Sequence, residues 1–302
     1  HMLNLIYLRR KVGQLQFPTK VELIRDNAAT ALLDGNDGLG QIAAVYAMQT
    51  AVEKANKYGI GAVLLRNTNN VGALAPYVEL AAASKMIGLM FCNASPAMAP
   101  WGAMQQFFGT QPFAIGIYTG EETLFAADMA TAQVARGKIR KAAREGKSIP
   151  ENWALDEAGN PTTDPLKAIK GVLLPIGGAK GSAIAMAIDL VAGLLSGSNY
   201  ATDVKAIHYP EGRAGVGCGM IVLDIAHFMD LDEYGNKMKE YLKKVRALQK
   251  AKDVQEILLP GESKQRKEHT AMIEGIELPE EEVKGINVAL SELGMNLFLR
   301  EL

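Results

Sequence analysis

The alternation of apolar segments along the chain predicts an α/β fold. Short apolar runs bounded by Gly, Pro or Asn are typical of buried strands. They alternate with longer segments in which apolar residues recur every three or four positions, as they do on one face of a helix. The chain has 302 residues, of which 48% are apolar and 22% are charged. These proportions are typical of a globular protein with a core of ordinary size.

The first half of the chain predicts both helices and short strands. The clearest helix, over 39–58, has apolar residues at helical spacing and ends at Gly59, a residue type that favours helix ends. A Pro- and Gly-rich loop covers 94–112. The predicted helices here are 3–15, 39–58 and 74–84, and the predicted strands are 29–35, 61–65, 87–91, 113–118 and 124–127.

The second half predicts longer helices with fewer strands. A loop over 146–168 contains several turn residues. The helix before it carries basic residues near its end, which suit the helix dipole and indicate a solvated face. The predicted helices are 130–145, 183–195, 234–250 and 263–274, with one more closing the chain, and the predicted strands are 220–224 and 256–259.

Charge and cysteine content narrow the classes of partner. The 32 basic and 33 acidic residues give a net charge of −1, which argues against nucleic acid or an anionic membrane as a partner. The most apolar stretch, 182–195, contains Asp189 and is too short to cross a bilayer. Cys92 and Cys218 lie in apolar runs, so we expect buried, reduced thiols and a cytoplasmic location. Cys and His residues lack metal-ligand spacing, so we expect no metal.

The segment Gly177–Ser182, which precedes a predicted helix, combines glycines with Lys180. Glycines let a backbone approach a ligand, and the first N–H groups of a helix attract an anion. The spacing matches neither the P-loop nor the G-x-G-x-x-G dinucleotide fingerprint. Two interpretations therefore stay open from the residues alone: a phosphate or carboxylate site, or a glycine turn with a solvated lysine.

Three other segments carry polar groups that suit a ligand. The loop from Asn93 holds Ser95 and Trp101, which fit a ring-bearing ligand or an ordinary packed turn. Asp128 lies where a strand is predicted to give way to a helix, a position typical of an N-cap. The Asn-rich segment 66–72 follows a buried strand and either faces a crevice or forms a turn. Of the four histidines, His208 is the one we consider as a catalytic group.

Taken together, motifs across nearly the whole chain resemble the type-2 malate/L-lactate dehydrogenase family. That family includes malate, sulfolactate and ureidoglycolate dehydrogenases, as well as reductases of cyclic imine carboxylates. The motifs occur in family order. They are LLDG at 32–35 with GLG at 38–40, GTQP at 109–112, DMAT at 128–131, IP at 149–150 with WA at 153–154, DEAGNPTTDP at 156–165, LPIGGAKG at 174–181 and LPGE at 259–262.

The resemblance implies an α/β fold with a mixed sheet that differs from the Rossmann fold. It implies NAD or NADP as cofactor, a small 2-hydroxy or 2-keto acid or a cyclic imine acid as substrate, and a homodimer with each active site near the subunit interface. It also implies an N-terminal portion over 1–66, a cofactor-binding domain over 67–255 and a C-terminal segment over 256–302. The motifs assign the cofactor site to Ser95, Asp128, Met129, Ala130, Lys180, Gly181 and Gly261.

The sequence departs from the family pattern at the acid/base position. Asn70 stands where the family has its usual acid/base histidine, so Asn70 and His208 are the two candidates for the catalytic group. The family's Ser-His-Gly segment would precede residue 1, and Leu3 occupies the position of an arginine that helps bind the substrate carboxylate. Gln111 replaces the usual Asn. Two interpretations follow: an oxidoreductase with altered acid/base chemistry, or an NAD(P)-binding homologue without catalysis that acts as a sensor or partner subunit.

Overall fold

A seven-stranded mixed sheet forms the centre of the fold. The computed structural model describes residues 2–121, 124–208, 212–292, 294, 295 and 299. In the order in which they lie in the sheet, the strands are β1 (Glu22–Asn27), β2 (Thr30–Asp34), β3 (Ile60–Thr68), β9 (Val216–Asp224), β4 (Met86–Cys92), β5 (Phe113–Ile117) and β6 (Phe125–Met129). Every neighbouring pair is antiparallel except the parallel pair β2 and β3. The predicted mixed α/β fold is therefore confirmed. Two short strands, β7 (Ala154–Leu155) and β8 (Val172–Leu173), form a separate pair.

The described part of the chain contains nine α-helices. The sixth of them continues without a break into a wider π-helix at Asp189–Leu195. No helix in the described part of the chain combines the length and apolar character needed to cross a bilayer. The helices are α1 (Met2–Lys11), α2 (Gly40–Tyr58), α3 (Ala75–Ala83), α4 (Arg136–Arg144), α5 (Pro165–Lys170), α6 (Ala179–Ile188), α7 (Leu231–Arg246), α8 (Glu262–Glu274) and α9 (Glu280–Glu292).

Helices α2 and α3 cover one face of the sheet and bury the larger core. The inner face of α2 is built from alanines, among them Ala47 and Ala51, which are fully buried. The helix packs very closely on β3, since a Cβ atom added at Gly61 of that strand would lie 2.0 Å from the Ala51 carbonyl oxygen. Such a close approach requires small side chains on the inner face of the helix. A second core, around Phe108 and Ile139, lies under α4 to α6. The division of the chain at residues 66 and 255 stays a prediction.

Several predicted boundaries are wrong, and backbone hydrogen bonds explain them. Helix α4 begins at Arg136 instead of residue 130, because the N–H groups of Thr131 and Gln133 bond to carbonyls of other loops. Helix α6 begins at Ala179, inside the glycine turn. The predicted strand 256–259 is irregular chain, and α5 forms inside the predicted loop 146–168.

Candidate functional site

The polar segments that follow β3 and β4 meet at the end of the sheet where these two strands terminate. Both strands are antiparallel to β9, which lies between them, so their carboxyl ends point the same way. These ends and two neighbouring loops enclose a cavity of about 200 Å³. Among the residues that line it are Asn70, Ser95, Thr110 and Lys205. The structure thus brings together one cofactor candidate, Ser95, and one catalytic candidate, Asn70. Thr110 of the GTQP motif lies beside them, with Lys205, which the sequence did not indicate.

Asn93 holds the cavity wall in place. Its backbone N–H donates to the carbonyl of Gly217 at 3.1 Å, and its side-chain oxygen accepts from the Gly217 N–H at 2.9 Å. The Nδ2 group donates to the Asn199 carbonyl at 2.7 Å. Asn93 is 1% exposed, and both ends of its side-chain amide are bonded to backbone groups. Its role in the site is therefore structural.

Asn70 lies exposed at the cavity, in a turn of its own. Its Oδ1 accepts a hydrogen bond from the Gly72 N–H at 2.9 Å. The amide NH₂ is therefore the group that this side chain can offer to a ligand. The neighbouring Asn69 is buried and donates to the carbonyls of Asp37 and Gly38, which fixes the start of the turn.

A short run of hydrogen bonds joins the cavity to the glycine turn. The Thr110 carbonyl accepts from both the N–H and the hydroxyl of Thr131, at 2.9 and 2.8 Å. The Thr131 carbonyl in turn accepts from the Ile176 N–H at 2.8 Å, directly before the turn. Met129, exposed, and Ala130, half-buried, precede Thr131 at the end of β6. Hydrogen bonds thus connect the cavity, the end of β6 and the glycine turn, the three segments that carry predicted cofactor residues.

The start of α6 is open to an anion. Gly178 is its N-cap, and no side chain caps the first N–H groups. Lys180, in the first turn, is exposed. The Trp101 ring lies against Gly178, since a Cβ atom added at Gly178 would be 3.2 Å from the ring. Trp101 is 62% exposed. This combination of uncapped N–H groups, an ammonium and a flat apolar surface fits a phosphate-bearing ligand.

Gly181 supports the turn by its small size. It is buried, and a Cβ atom there would lie 2.1 Å from the Ile176 carbonyl oxygen. The glycine therefore lets the chain fold back closely enough to begin α6 directly after the turn. Gly181 holds the position of Lys180 through the backbone, whether or not it also touches a ligand.

Asp128 caps a helix, but a different helix from the one that the sequence suggests. Its Oδ2 accepts from the N–H groups of Leu74 and Ala75, at 2.8 and 2.9 Å, at the start of α3. Asp128 lies on β6, and Gly261 packs against the same strand. Gly261 adopts a φ of 92°, and a Cβ atom added to it would lie 2.9 Å from the Ala126 carbonyl oxygen. Asp128 and Gly261 thus mark the edge strand β6 as a further part of the candidate site.

His208 is exposed, and it directly follows Ile207, which lines the cavity. Its own ring is not among the described lining residues. Partial desolvation and the positive charges of Arg140 and Arg136 lower the pKa of His208, which favours the neutral imidazole. Its part in catalysis stays a prediction.

Comparison with known proteins identifies the family. The family model described as malate/L-lactate dehydrogenase matches residues 1–287. The chain belongs to this family. It is 38% identical to L-sulfolactate dehydrogenase from Methanocaldococcus jannaschii over 95% of this chain and 82% of that protein. The solved structure of the sulfolactate dehydrogenase from that organism superposes with a TM-score of 0.91 at 37% identity, covering 97% of this chain and 84% of that one.

Two further relatives differ in the cofactor that their names give. The chain is 35% identical to (2R)-3-sulfolactate dehydrogenase (NADP(+)) from Chromohalobacter salexigens, over 82% of this chain and 72% of that protein. It is 30% identical to ureidoglycolate dehydrogenase (NAD(+)) from Escherichia coli strain K12, over 82% and 71%. All these relatives are named as dehydrogenases, so membership makes this chain an oxidoreductase. The comparisons give no support to the interpretation as a non-catalytic homologue.

Proposed function

We propose that the chain transfers hydride between NAD(H) or NADP(H) and a small 2-hydroxy or 2-keto acid, or a cyclic imine acid. The observation that carries the proposal is the run of hydrogen bonds that links the cavity at Asn70 and Ser95 to the open start of α6, through Thr110 and Thr131. A dinucleotide has a charged middle and a reactive ring at one end. The charged middle would bind at the start of α6, and the reactive ring would lie at the cavity.

Each residue has a definite part in this proposal. Lys180 and the first N–H groups of α6 would hold the pyrophosphate or a ribose phosphate, while Ser95, Met129 and Ala130 would contact other parts of the nucleotide. Asp128 and Gly261 would act on the nucleotide through the edge strand β6, which they connect to α3 and to the chain before α8. The bound cofactor supplies the hydride, and the chain orients the substrate carbonyl. The Asn70 amide donates a hydrogen bond to that carbonyl oxygen but has no proton to give near neutral pH.

Replacing Lys180 with alanine tests the cofactor site. We expect the variant to bind NADH or NADPH about 10- to 150-fold more weakly, because a hydrogen bond to a charged group contributes roughly 1.5–3 kcal/mol. Calorimetry measures the change. Lys239→Ala removes an exposed lysine of α7 as the matched control and should bind normally. Equal affinity in both variants would remove the α6 turn from the site.

We further propose a homodimer that uses the sheet face opposite α2 and α3. A hollow of about 660 Å³ on that face is lined by Leu32, Leu64, Phe91 and Ile221, next to Leu194 and Leu195 of the π-helix. The last two are 54% and 66% exposed, and an apolar patch of this kind is typical of a protein–protein contact.

Leu195→Asp should convert the dimer to a monomer, because it would bury a carboxylate in an apolar contact. Light scattering at micromolar concentration gives the mass. Leu166→Asp alters a leucine of α5 that is 64% exposed and lies outside the hollow, and it should leave the mass unchanged. A monomer before any substitution would contradict the proposal.

The cytoplasm is the location that we propose. Both described cysteines are free and buried, and unpaired thiols fit a reducing compartment. The near-zero net charge gives no general attraction to nucleic acid or to anionic lipid, so a small-molecule substrate and a second copy of the chain are the partners that we propose.

A further inference from the structure

Lys205 is the charged side chain of the cavity. Among the described residues that line it, Lys205 alone carries a formal charge; the others are amides, hydroxyls, apolar groups and the Cys92 thiol. No carboxylate lines the described part of this cavity, so the lysine ammonium is the formal charge that this lining can offer to a ligand. Such a site favours an anion over a neutral molecule of the same size.

A buried arginine holds the loop that carries Lys205. Arg9 of α1 is 1% exposed, and its guanidinium donates to the carbonyls of Ala206 at 3.2 Å and Gly212 at 3.5 Å. The backbone N–H of Lys205 donates to the Ala214 carbonyl at 3.0 Å, across the same loop. These bonds connect both limbs of the loop to the body of the protein and fix the backbone from which Lys205 projects.

The Lys205 ammonium is available to a ligand. Within the described ranges, no carboxylate lies within 4.0 Å of it, and the side chain is exposed. Asp37, which Asn69 of the cavity wall bonds through its carbonyl, has its carboxylate paired with Arg213. An exposed ammonium at a cavity wall can therefore bind an incoming anion without first breaking an ion pair.

We propose that Lys205 binds the acid group of the substrate and selects charged substrates over uncharged ones. This inference rests on the proposed function, since it names the substrate class of that same cavity. An ammonium is a compact point charge with three donors. It can bond a carboxylate or a sulfonate at the cavity while the Asn70 amide faces the carbonyl to be reduced. Substrates that carry an acid group beside or near the carbonyl are the class that this arrangement recognises.

Three small probes of nearly equal size and different charge test the proposal: oxalate, oxamate and oxamide. Each is titrated by calorimetry into the protein saturated with NADH or NADPH. We expect Lys205→Gln to weaken oxalate binding about 10- to 100-fold, oxamate less and oxamide not at all. Lys205→Arg should keep most of the affinity. The matched control Lys239→Gln should bind all three normally, and the nucleotide affinity should be unchanged in every variant.

Other outcomes separate the two proposals. An equal loss for all three probes would assign Lys205 a structural role, and no loss would remove it from the site; either result overturns the inference while leaving the proposed function intact. If the unmodified chain binds no nucleotide, the proposed function fails, and the same probes titrated into the free protein still report on Lys205. In steady state, Lys205→Gln should raise KM for the keto acid with kcat nearly unchanged.

Discussion

Replacing Asn70 with histidine is expected to raise kcat for ketone reduction by about 10²- to 10⁴-fold, the range that a positioned general acid contributes. Reduction of a ketone needs a proton as well as a hydride. Histidine titrates near neutral pH and can donate that proton, whereas an amide cannot. Asn70 lies exposed at the cavity, in a turn closed by its own oxygen, so a ring at this position can face a bound carbonyl. We expect weak turnover of oxaloacetate and pyruvate by the unmodified chain.

The pH dependence distinguishes acid catalysis from a general effect of the substitution. In Asn70→His, ketone reduction should fall as pH rises through the pKa of the new imidazole, because the protonated ring is the donor. Asn70→Ala serves as the control: it should be slower than the unmodified chain and lack this limb of the pH profile. Ordinary turnover of these keto acids by the unmodified chain, without gain from histidine, would show that another group donates the proton.

Gly181→Ala is expected to disturb both folding and cofactor binding. The added Cβ would lie 2.1 Å from the Ile176 carbonyl oxygen, so the backbone of the turn must move. Overpacking of this kind costs roughly 1–3 kcal/mol, and more where backbone is the neighbour. The shift would displace Lys180 and the first N–H groups of α6, so we expect the affinity for NADH and NADPH to fall at least about tenfold.

Urea unfolding and a nucleotide titration measure the two effects of Gly181→Ala. The control is Gly235→Ala in the interior of α7, where a Cβ atom meets nothing within 4 Å. That change should stabilise the protein by about 0.5–1 kcal/mol, because it removes a flexible residue from a helix. If Gly181→Ala unfolds and binds nucleotide like the unmodified chain, the turn is not the rigid anion site described above.

Strong periodicity and end signals made the centre of the fold predictable. Helix α2 forms within one residue of its predicted start and ends at Gly59, which adopts a left-handed φ of 82°. Strand β1 was missed, because its exposed sequence ELIRDN has no apolar alternation and is held by pairing with β2. The strand predicted at 256–259 had a suitable apolar pattern, but the Leu259 N–H there bonds to the Glu262 side chain instead of a neighbouring strand.

The sequence likewise indicated some parts of the candidate site and not others. The glycine turn at 177–182 and the Asn-rich segment after β3 were visible in the sequence, since each has a local pattern with a physical reason. Lys205 was not, because nothing around it in sequence shows that its loop folds over the end of β4 and is fixed there by Arg9. Asp128 was predicted to be the N-cap of the helix that follows it, and this is wrong, because α4 begins only at Arg136. Its carboxylate instead accepts from N–H groups at the start of α3, more than fifty residues earlier in the chain, a contact that the sheet arrangement creates.

Transfer of deuterium from NADH or NADPH labelled at the reactive carbon tests the central claim most directly. The protein is incubated with the labelled nucleotide and a set of 2-keto acids that includes oxaloacetate, pyruvate and 3-sulfopyruvate, and the products are analysed by mass spectrometry. The account predicts a singly deuterated 2-hydroxy acid from at least one of them, formed slowly by the unmodified chain and faster by Asn70→His. Absence of label from every product, in both proteins and with both nucleotides, would contradict it.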